Sequence, residues 1–214
     1  MATRLHKQAV QERIERERVF AVLRLARTER IHEVVRALIQ GGITTIELTL
    51  NSRNAFDVLH DLTHTYADCL FGAGTVIGVE PATRAIECGA QFLVSPVVDL
   101  DMLAVAEQVG VLSMAGALTP TEAWQAAQAG ADLVKLFPMT GLGPAYLKAL
   151  RGPLPEIRYV VTNGATPANV GEYLAAGAVA VGLGSSLVTD EDIEHARYDL
   201  ITARATEAIK HAKG

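Results

Sequence analysis

A glycine recurs along this chain where a helix should end and a strand should begin. The clearest cases are Gly42, Gly89, Gly110, Gly130 and Gly177. The shorter intervals are about 20 residues and the longer ones about twice that, so a unit of roughly 20–24 residues repeats, which is long enough for one strand and one helix. Glycine fits such junctions because the residue that follows a helix often has a positive φ, which glycine adopts without strain.

Eight short runs rich in valine, isoleucine and leucine occupy the strand positions of this repeat. Runs that are continuously apolar are typical of strands buried on both faces of a parallel sheet. The predicted strands are 19–25, 44–50, 70–76, 92–96, 111–117, 132–138, 159–164 and 178–184. The predicted helices are 29–40, 53–66, 80–88, 100–108, 120–129, 143–151, 168–176 and 190–212, with an additional helix at about 6–17 before the first strand.

The strict alternation of strand and helix predicts an α/β fold with a parallel sheet. Eight units are the number that closure into a (β/α)₈ TIM barrel requires, and we prefer this fold to the alternative, an open doubly wound sheet. A chain of 214 residues is near the short end for a barrel. We therefore predict a single domain over residues 1–214, with short connections and an additional N-terminal helix.

Composition and charge exclude several classes of function. The chain has no apolar run of the length that a membrane span needs, and its net charge of −5 comes without a basic stripe. These features argue against membrane and nucleic-acid partners and favour a small-molecule substrate. Two cysteines, Cys69 and Cys88, are too few for a disulfide framework, so we expect a cytoplasmic protein.

The histidines give little support for a metal site. All six fall in predicted helices, and none falls in a predicted strand. His60 and His64 stand four residues apart, but no glutamate follows His60 as it does in a zinc-binding H-E-x-x-H motif. We interpret this pair as a solvated helix surface and predict neither a metal nor a cofactor.

Three predicted strands contain a charged residue among apolar neighbours, namely Arg24, Glu47 and Lys135. One interpretation is that each lies at the end of its strand and reaches water. Three such residues in one parallel barrel favour a functional site instead, because burying an unpaired charge is costly and the tolerated cases cluster at sites.

Lys135 is the most informative of the three, because Val134, Leu136 and Phe137 surround it in the sequence. Desolvation in such a place should lower the pKa of the lysine, and a neutral amine can attack a ketone to form a Schiff base. Glu47 is the candidate for the accompanying proton transfers. Thr75, which ends the string Gly-Ala-Gly-Thr, is a candidate partner for polar oxygens of a substrate.

Glycine-rich strings end the last two predicted strands. Gly164 ends the seventh and Gly184 ends the eighth, and Ser185 and Ser186 come next in the chain. Barrels often bind phosphate with the loops after strands seven and eight. The alternative interpretation is two ordinary turns.

Several strings, taken in order along residues 19–188, carry a family resemblance. They are residues 42–50 with Glu47, residues 72–76, Ser95-Pro96, Gly116 with residues 119–122, residues 135–138 and residues 182–185. Together they resemble the bacterial aldolase family that cleaves 2-keto-3-deoxy-6-phosphogluconate, its galactonate epimer and 4-hydroxy-2-oxoglutarate. The resemblance implies a (β/α)₈ barrel that is usually a homotrimer and needs no metal.

The resemblance also implies a role for each candidate residue. It makes Lys135 the Schiff-base lysine and Glu47 the general acid/base of a class I aldolase that yields pyruvate and glyceraldehyde 3-phosphate. The positions that match the pyruvate pocket are Thr75, Pro96 and Phe137, and those that match the phosphate site are Gly164, Gly184 and Ser185.

This sequence departs from the family pattern at two positions. Gluconate-type members commonly carry an arginine four residues after the glutamate, where this chain has Asn51. Galactonate-type relatives look similar to this sequence there, and Arg24 resembles their Leu-Arg pair, so both residues are candidates for substrate binding. Asn163 stands where the phosphate loop usually has the first of two glycines. A side chain there would narrow the phosphate pocket or contact a different polar tail.

Other functions stay open from the sequence alone. One is an aldolase for an unphosphorylated 4-hydroxy-2-keto acid such as 4-hydroxy-2-oxoglutarate. A second is a metal-free phosphosugar isomerase, which would not need Lys135 as a nucleophile. A third is a non-catalytic barrel that binds a small anion, in which Lys135 would be ion-paired and shielded from the mouth of the barrel.

Overall fold

A closed barrel of parallel strands forms the centre of the computed structural model, which describes residues 6–213; residues 1–5 and 214 of the predicted domain lie outside this range. Each strand pairs with its neighbours in the chain, and the first pairs with the last, which confirms the barrel and excludes the open sheet. The strands are β1 (Val19–Leu23), β2 (Thr45–Thr49), β3 (Leu70–Gly74), β4 (Phe92–Val94), β5 (Leu112–Ala117), β6 (Leu133–Leu136), β7 (Tyr159–Thr162) and β8 (Ala180–Leu183).

Helices follow the strands and cover the outside of the barrel. They are α1 (Lys7–Glu17), α2 (Ile31–Gln40), α3 (Ala55–Thr65), α4 (Val79–Glu87), α5 (Leu100–Val109), α6 (Pro120–Gln128), α7 (Gly143–Arg151), α8 (Val170–Ala175), α9 (Asp190–Glu194) and α10 (Tyr198–Lys213), with a 3₁₀ turn at Pro167–Asn169 before α8. The additional N-terminal helix predicted at about 6–17 is confirmed as α1. The strands are shorter than predicted, because apolar residues continue into the connections that pack on the barrel ends.

The prediction of one continuous helix over 190–212 is wrong. The chain turns between α9 and α10, where Ala196 adopts a left-handed conformation with φ of 54°. The buried Asp192 stabilises this turn, because its carboxylate forms ion pairs with Arg197 and Arg204. A charged residue near the start of the predicted helix therefore anchors the corner that interrupts it.

The barrel has a separate apolar core inside it, distinct from the layer between the sheet and the outer helices. Val10 and Ile14 of α1 belong to this inner core, and α1 packs against β1, β5 and β8. Lys7 forms ion pairs with Glu107 and Asp132 that fasten the start of α1 to the barrel. Helix α1 therefore fills the end of the barrel at which the strands begin.

Side chains alternate along each strand, so every second residue points into the barrel. Leu133 of β6 belongs to the inner core, which places Lys135, two residues later, on the same inward face. Glu47 of β2 pairs in register with Val22, whose side chain packs against the same core. Both charged side chains therefore lie inside the barrel, next to its inner apolar core.

Candidate active site

Lys135 and Glu47 meet inside the barrel. Their strands, β6 and β2, lie four strands apart in the closed sheet and hence on opposite sides of it. Lys135 Nζ lies 3.6 Å from Glu47 Oε1, which is an ion-pair distance longer than a hydrogen bond. The predicted catalytic pair therefore exists as a contact, although the two residues are far apart in the chain.

The Glu47 carboxylate is buried without a hydrogen bond. Its side chain is 0% exposed, and neither oxygen has a hydrogen-bond partner. Burial raises the pKa of this carboxyl above its ordinary value, while the positive charges of Lys135 and then Arg24 partly offset the rise. A buried carboxyl with free lone pairs and a raised pKa is suited to exchanging protons with a bound reactant near neutral pH.

The space that Glu47 occupies exists because residue 74 is a glycine. Gly74 ends β3 and pairs in register with Thr49 of the neighbouring strand. A Cβ atom at this position would overlap with the Glu47 carboxylate. The last glycine of the string Gly-Ala-Gly-Thr is thus required by the placement of the acid/base candidate.

Lys135 reaches a cavity at the end of the barrel opposite α1. The cavity has a volume of about 340 Å³, and the Lys135 side chain is 8% exposed. The ammonium group lies 5.4 Å from the centre of the Phe137 ring, which also lines the cavity. A small molecule in this cavity can therefore contact the amine directly.

Six of the predicted site residues line the cavity, namely Arg24, Lys135, Phe137, Gly164, Gly184 and Ser185. The other four are not part of its lining. Glu47 lies beneath it, beside Lys135, and Asn51 is exposed two residues after β2. Thr75 and Pro96 are half-buried just after β3 and β4, and Thr75 has a φ of 59°. Glu47 therefore faces the interior of the barrel, and the other three lie at the end of the barrel that holds the cavity.

Hydrogen bonds with β2 and with the residues that follow it fix the backbone on both sides of Arg24. The Thr49 hydroxyl donates to the Leu23 carbonyl at 3.1 Å, and the Leu25 N–H donates to the Ser52 hydroxyl at 3.1 Å. The exposed Arg24 side chain therefore starts from a rigid backbone at the cavity wall. Thr49 and Ser52 could not be identified from the sequence, because neither has a charge that would mark it.

Thr162 is a further cavity residue that the sequence analysis did not identify. Its hydroxyl is buried and has no hydrogen-bond partner, and the residue lines the cavity. Val160, two residues earlier on β7, belongs to the inner core. The two-residue period of the strand was therefore the signal that could have found Thr162, since it places both side chains on the inward face.

The loops after β7 and β8 form the outer wall of the cavity. Ser186 joins them, because its hydroxyl donates to the Ala165 carbonyl at 3.0 Å. Asn163, Gly164, Gly184 and Ser185 line this wall. Asp190, the first residue of α9, adds an exposed carboxylate to the rim.

Metal-ligating side chains do not gather anywhere in residues 6–213: no group of three or more could hold an ion there. His60 and His64 stack on the surface of α3 with ring centres 4.2 Å apart. Over the same range, every helix is too short or too polar to cross a membrane.

The sequence is similar to aldolases of known family. The model of the KDPG and KHG aldolase family matches residues 10–204. A "Probable 2-dehydro-3-deoxy-6-phosphogalactonate aldolase" of Rhizobium meliloti (strain 1021) is 39% identical over 171 residues, or 79% of this chain and 81% of the relative. A 2-dehydro-3-deoxy-phosphogluconate aldolase of Treponema pallidum (strain Nichols) is 36% identical over 200 residues, or 93% and 95% of the two chains.

A solved structure has the same fold. It is a KDPG aldolase from Legionella pneumophila with pyruvate captured at low pH as a covalent carbinolamine intermediate. The TM-score is 0.79 at 28% identity, and the match covers 90% of this chain and 95% of the other. The protein therefore belongs to the KDPG and KHG aldolase family and is an aldolase, a lyase that acts on a carbon–carbon bond.

Proposed function

We propose that this aldolase forms a Schiff base on Lys135 and cleaves a 2-keto-3-deoxy-6-phospho sugar acid into pyruvate and glyceraldehyde 3-phosphate. The observation that carries the proposal is the 3.6 Å separation of Lys135 Nζ and Glu47 Oε1 next to the cavity. Imine formation needs such a pair, because the amine must lose a proton to attack and the carbinolamine must gain one to lose water.

The proposed reaction uses Lys135 as the nucleophile throughout. Its Nζ attacks the C2 ketone, and the carbinolamine loses water to give an iminium ion. The C4 hydroxyl then loses its proton, the C3–C4 bond breaks, and the electron pair of that bond forms an enamine with the iminium group. The C4 fragment leaves as the aldehyde. Protonation of C3 and hydrolysis of the imine then release pyruvate, while Glu47 exchanges the protons directly or through water.

The same geometry disfavours a barrel that only binds an anion. That alternative expects Lys135 to be ion-paired and shielded from the mouth. Lys135 is within ion-pair distance of Glu47, yet it also lines the cavity. The membership of an aldolase family also favours lyase chemistry over the isomerase alternative.

The remaining site residues are assigned to the two halves of the substrate. In the proposal Arg24, Thr75, Pro96, Phe137 and Asn51 contact the keto-acid half, and Gly164, Gly184 and Ser185 bind the phosphate. The loops after strands seven and eight are the usual phosphate site of this barrel, which supports the second assignment. The names of the Rhizobium and Treponema relatives, each a phosphorylated sugar-acid aldolase, support the substrate class.

Trapping with borohydride tests the proposal. Protein incubated with pyruvate and sodium borohydride should gain the mass of one reduced pyruvate adduct, and peptide mapping should find it on Lys135. Borohydride without pyruvate is the control and should leave the mass unchanged. An unmodified mass after the complete treatment would contradict the Schiff-base mechanism.

The pH dependence of the reaction should report the raised pKa of Glu47. As the pH rises through this pKa the carboxyl becomes the base, so kcat/KM should rise over a pH range above that of an ordinary carboxyl, about 4.3. Glu47→Gln should abolish this limb and lower kcat/KM by about 10²- to 10⁴-fold. If the rise of kcat/KM with pH persisted unchanged in Glu47→Gln, it would have to come from the titration of another group.

The same pKa shift has a consequence for stability. The folded state binds the Glu47 proton more tightly than the unfolded state does, because burial raises the pKa only in the fold. The proton therefore adds its full contribution to the free energy of unfolding below the pKa of the unfolded state, and this contribution is lost as the pH rises through the pKa of the folded state. Urea titrations at a series of pH values give the free energy of unfolding. It should fall more steeply with rising pH in wild type than in Glu47→Gln over this range.

We also propose the homotrimer that the family resemblance implies. Ile77, Val79, Val97 and Leu100 are large apolar side chains that are exposed after β3 and β4. These strands are neighbours, and a group of exposed apolar side chains is typical of a protein–protein contact. Light scattering on the purified protein measures the assembly, and a monomeric mass would contradict it.

A further inference from the structure

We propose that the side-chain amide of Asn163 binds the distal anionic group of the substrate and that Thr140 is its positioning residue. The ligand chemistry is a phosphate or a carboxylate at the end of the substrate remote from the keto group. The inference rests on the proposed function and extends it, because Asn163 would determine which tail the enzyme accepts.

Asn163 stands at the cavity wall in a fixed conformation. It follows β7 directly and has a left-handed backbone with φ of 55°, which asparagine tolerates better than most residues. Its carbonyl accepts a hydrogen bond of 2.7 Å from the Met139 N–H. The side chain is held as well, since the Thr140 hydroxyl donates to Asn163 Oδ1 at 2.7 Å.

This hydrogen bond decides which part of the amide is free. A side-chain amide has one oxygen that accepts and one nitrogen that donates two hydrogen bonds. Thr140 occupies the oxygen, and Asn163 Nδ2 has no partner within residues 6–213. Asn163 lines the cavity beside Gly164, so its two free N–H groups are available to a ligand there.

The few cations along the cavity wall explain why uncharged hydrogen-bond donors matter for binding an anionic tail. Arg24 and Lys135 are the cations among the residues described along its wall, and Lys135 is committed to the reaction in the proposed mechanism. Asp190 adds a carboxylate to the same wall, which opposes an anion. Binding a phosphate or carboxylate tail therefore depends on uncharged donors, namely backbone N–H groups, Ser185 and the Asn163 amide.

The substitution Asn163→Gly tests the inference without adding a charge to the cavity. It removes the two donors, and glycine adopts the left-handed backbone without strain. Loss of a hydrogen bond to a charged group should lower kcat/KM for an anionic-tail substrate by about 10- to 100-fold. Cleavage of a 2-keto-3-deoxy sugar acid with an uncharged tail should change by less than about 2-fold, as should borohydride trapping of pyruvate.

Two anionic substrates distinguish the two sources of the charge. One is the 6-phosphorylated 2-keto-3-deoxy sugar acid, and the other is 4-hydroxy-2-oxoglutarate, whose tail is a carboxylate. The substrate whose kcat/KM falls most in Asn163→Gly is the one whose anion the amide contacts. Asn54→Gly is the matched control, because Asn54 also has a positive φ, of 52°, but lies outside the cavity.

Thr140 is tested by a pair of variants. Thr140→Val should raise KM for the anionic substrate while changing kcat little, because the amide is still present but no longer oriented. Thr140→Ser keeps the hydroxyl and should restore the wild-type KM. A purely structural role of Thr140 would instead affect anionic and uncharged substrates equally.

The outcomes separate this inference from the proposed function. An unchanged ratio of kcat/KM for anionic and uncharged tails in Asn163→Gly would overturn the inference. So would a gain in that ratio for Asn163→Asp, which keeps the shape of the side chain and covers the case in which Asn163→Gly does not fold. Failure of wild-type protein to trap pyruvate would contradict the proposed function instead.

Discussion

Replacing Lys135 by methionine is expected to lower kcat/KM for aldol cleavage by about 10⁴-fold or more, because no other amine lines the described cavity wall to form the imine. Methionine keeps the length and the apolar stem of the side chain but removes its nucleophile. Pyruvate and borohydride should then leave no adduct. The loss corresponds to about 5 kcal/mol or more of transition-state stabilisation.

Lys148→Met is the matched control for this variant. Lys148 is an exposed lysine on α7, away from the cavity, so its loss should leave kcat/KM within about 2-fold. Thermal unfolding of both variants shows whether a loss of activity reflects a loss of folded protein. Retention of most activity in Lys135→Met would remove the imine from the mechanism and favour an isomerase-type barrel.

Gly74→Ala is expected to cause a large loss of activity together with a loss of stability, although Gly74 has no functional group. The added methyl overlaps with the Glu47 carboxylate, so the carboxylate must leave its place beside Lys135. Activity should fall by about 10²- to 10³-fold, within the range that general acid/base groups contribute. Overpacking of the barrel interior should also cost about 1–3 kcal/mol of the free energy of unfolding.

A control variant and a Glu47→Ala background distinguish displacement of the Glu47 carboxylate from general overpacking. Gly152→Ala adds the same methyl at the exposed end of α7, where the nearest heavy atom lies at 3.4 Å, and should leave both activity and stability close to wild type. In a Glu47→Ala background the methyl at position 74 has no carboxylate to displace. Gly74→Ala should then change activity by less than about 3-fold, and a full further loss would show that Gly74 acts independently of Glu47.

The architecture could be predicted because buried parallel strands leave a simple pattern in the sequence. Runs such as those of β1 and β4 are apolar on both faces, and glycines separate the helices from the strands. The corner before α10 could not be predicted, since it depends on Asp192 meeting Arg197 and Arg204 in the folded chain. Helical periodicity does not report such contacts.

The burial of two charged residues in the candidate site was predictable for the opposite reason. Lys135 and Glu47 interrupt apolar strands, so their burial required an explanation before any contact was known. Their 3.6 Å separation was not predictable, because it arises from strands on opposite sides of the closed barrel. Thr162 and Ser52 were missed because a hydroxyl at the end of a strand looks like any turn residue until its partners are known.

Helix α1 has a consequence for the order of events in the proposed reaction. Val10 and Ile14 plug one end of the barrel, so Lys135 is reached through the opposite end, whose outer wall carries the loops after β7 and β8. In the proposed mechanism the aldehyde fragment is freed when the C3–C4 bond breaks, while pyruvate is still bonded to Lys135. We therefore expect sequential release through that end, with the aldehyde first and pyruvate second, and entry of pyruvate before the aldehyde in the synthetic direction.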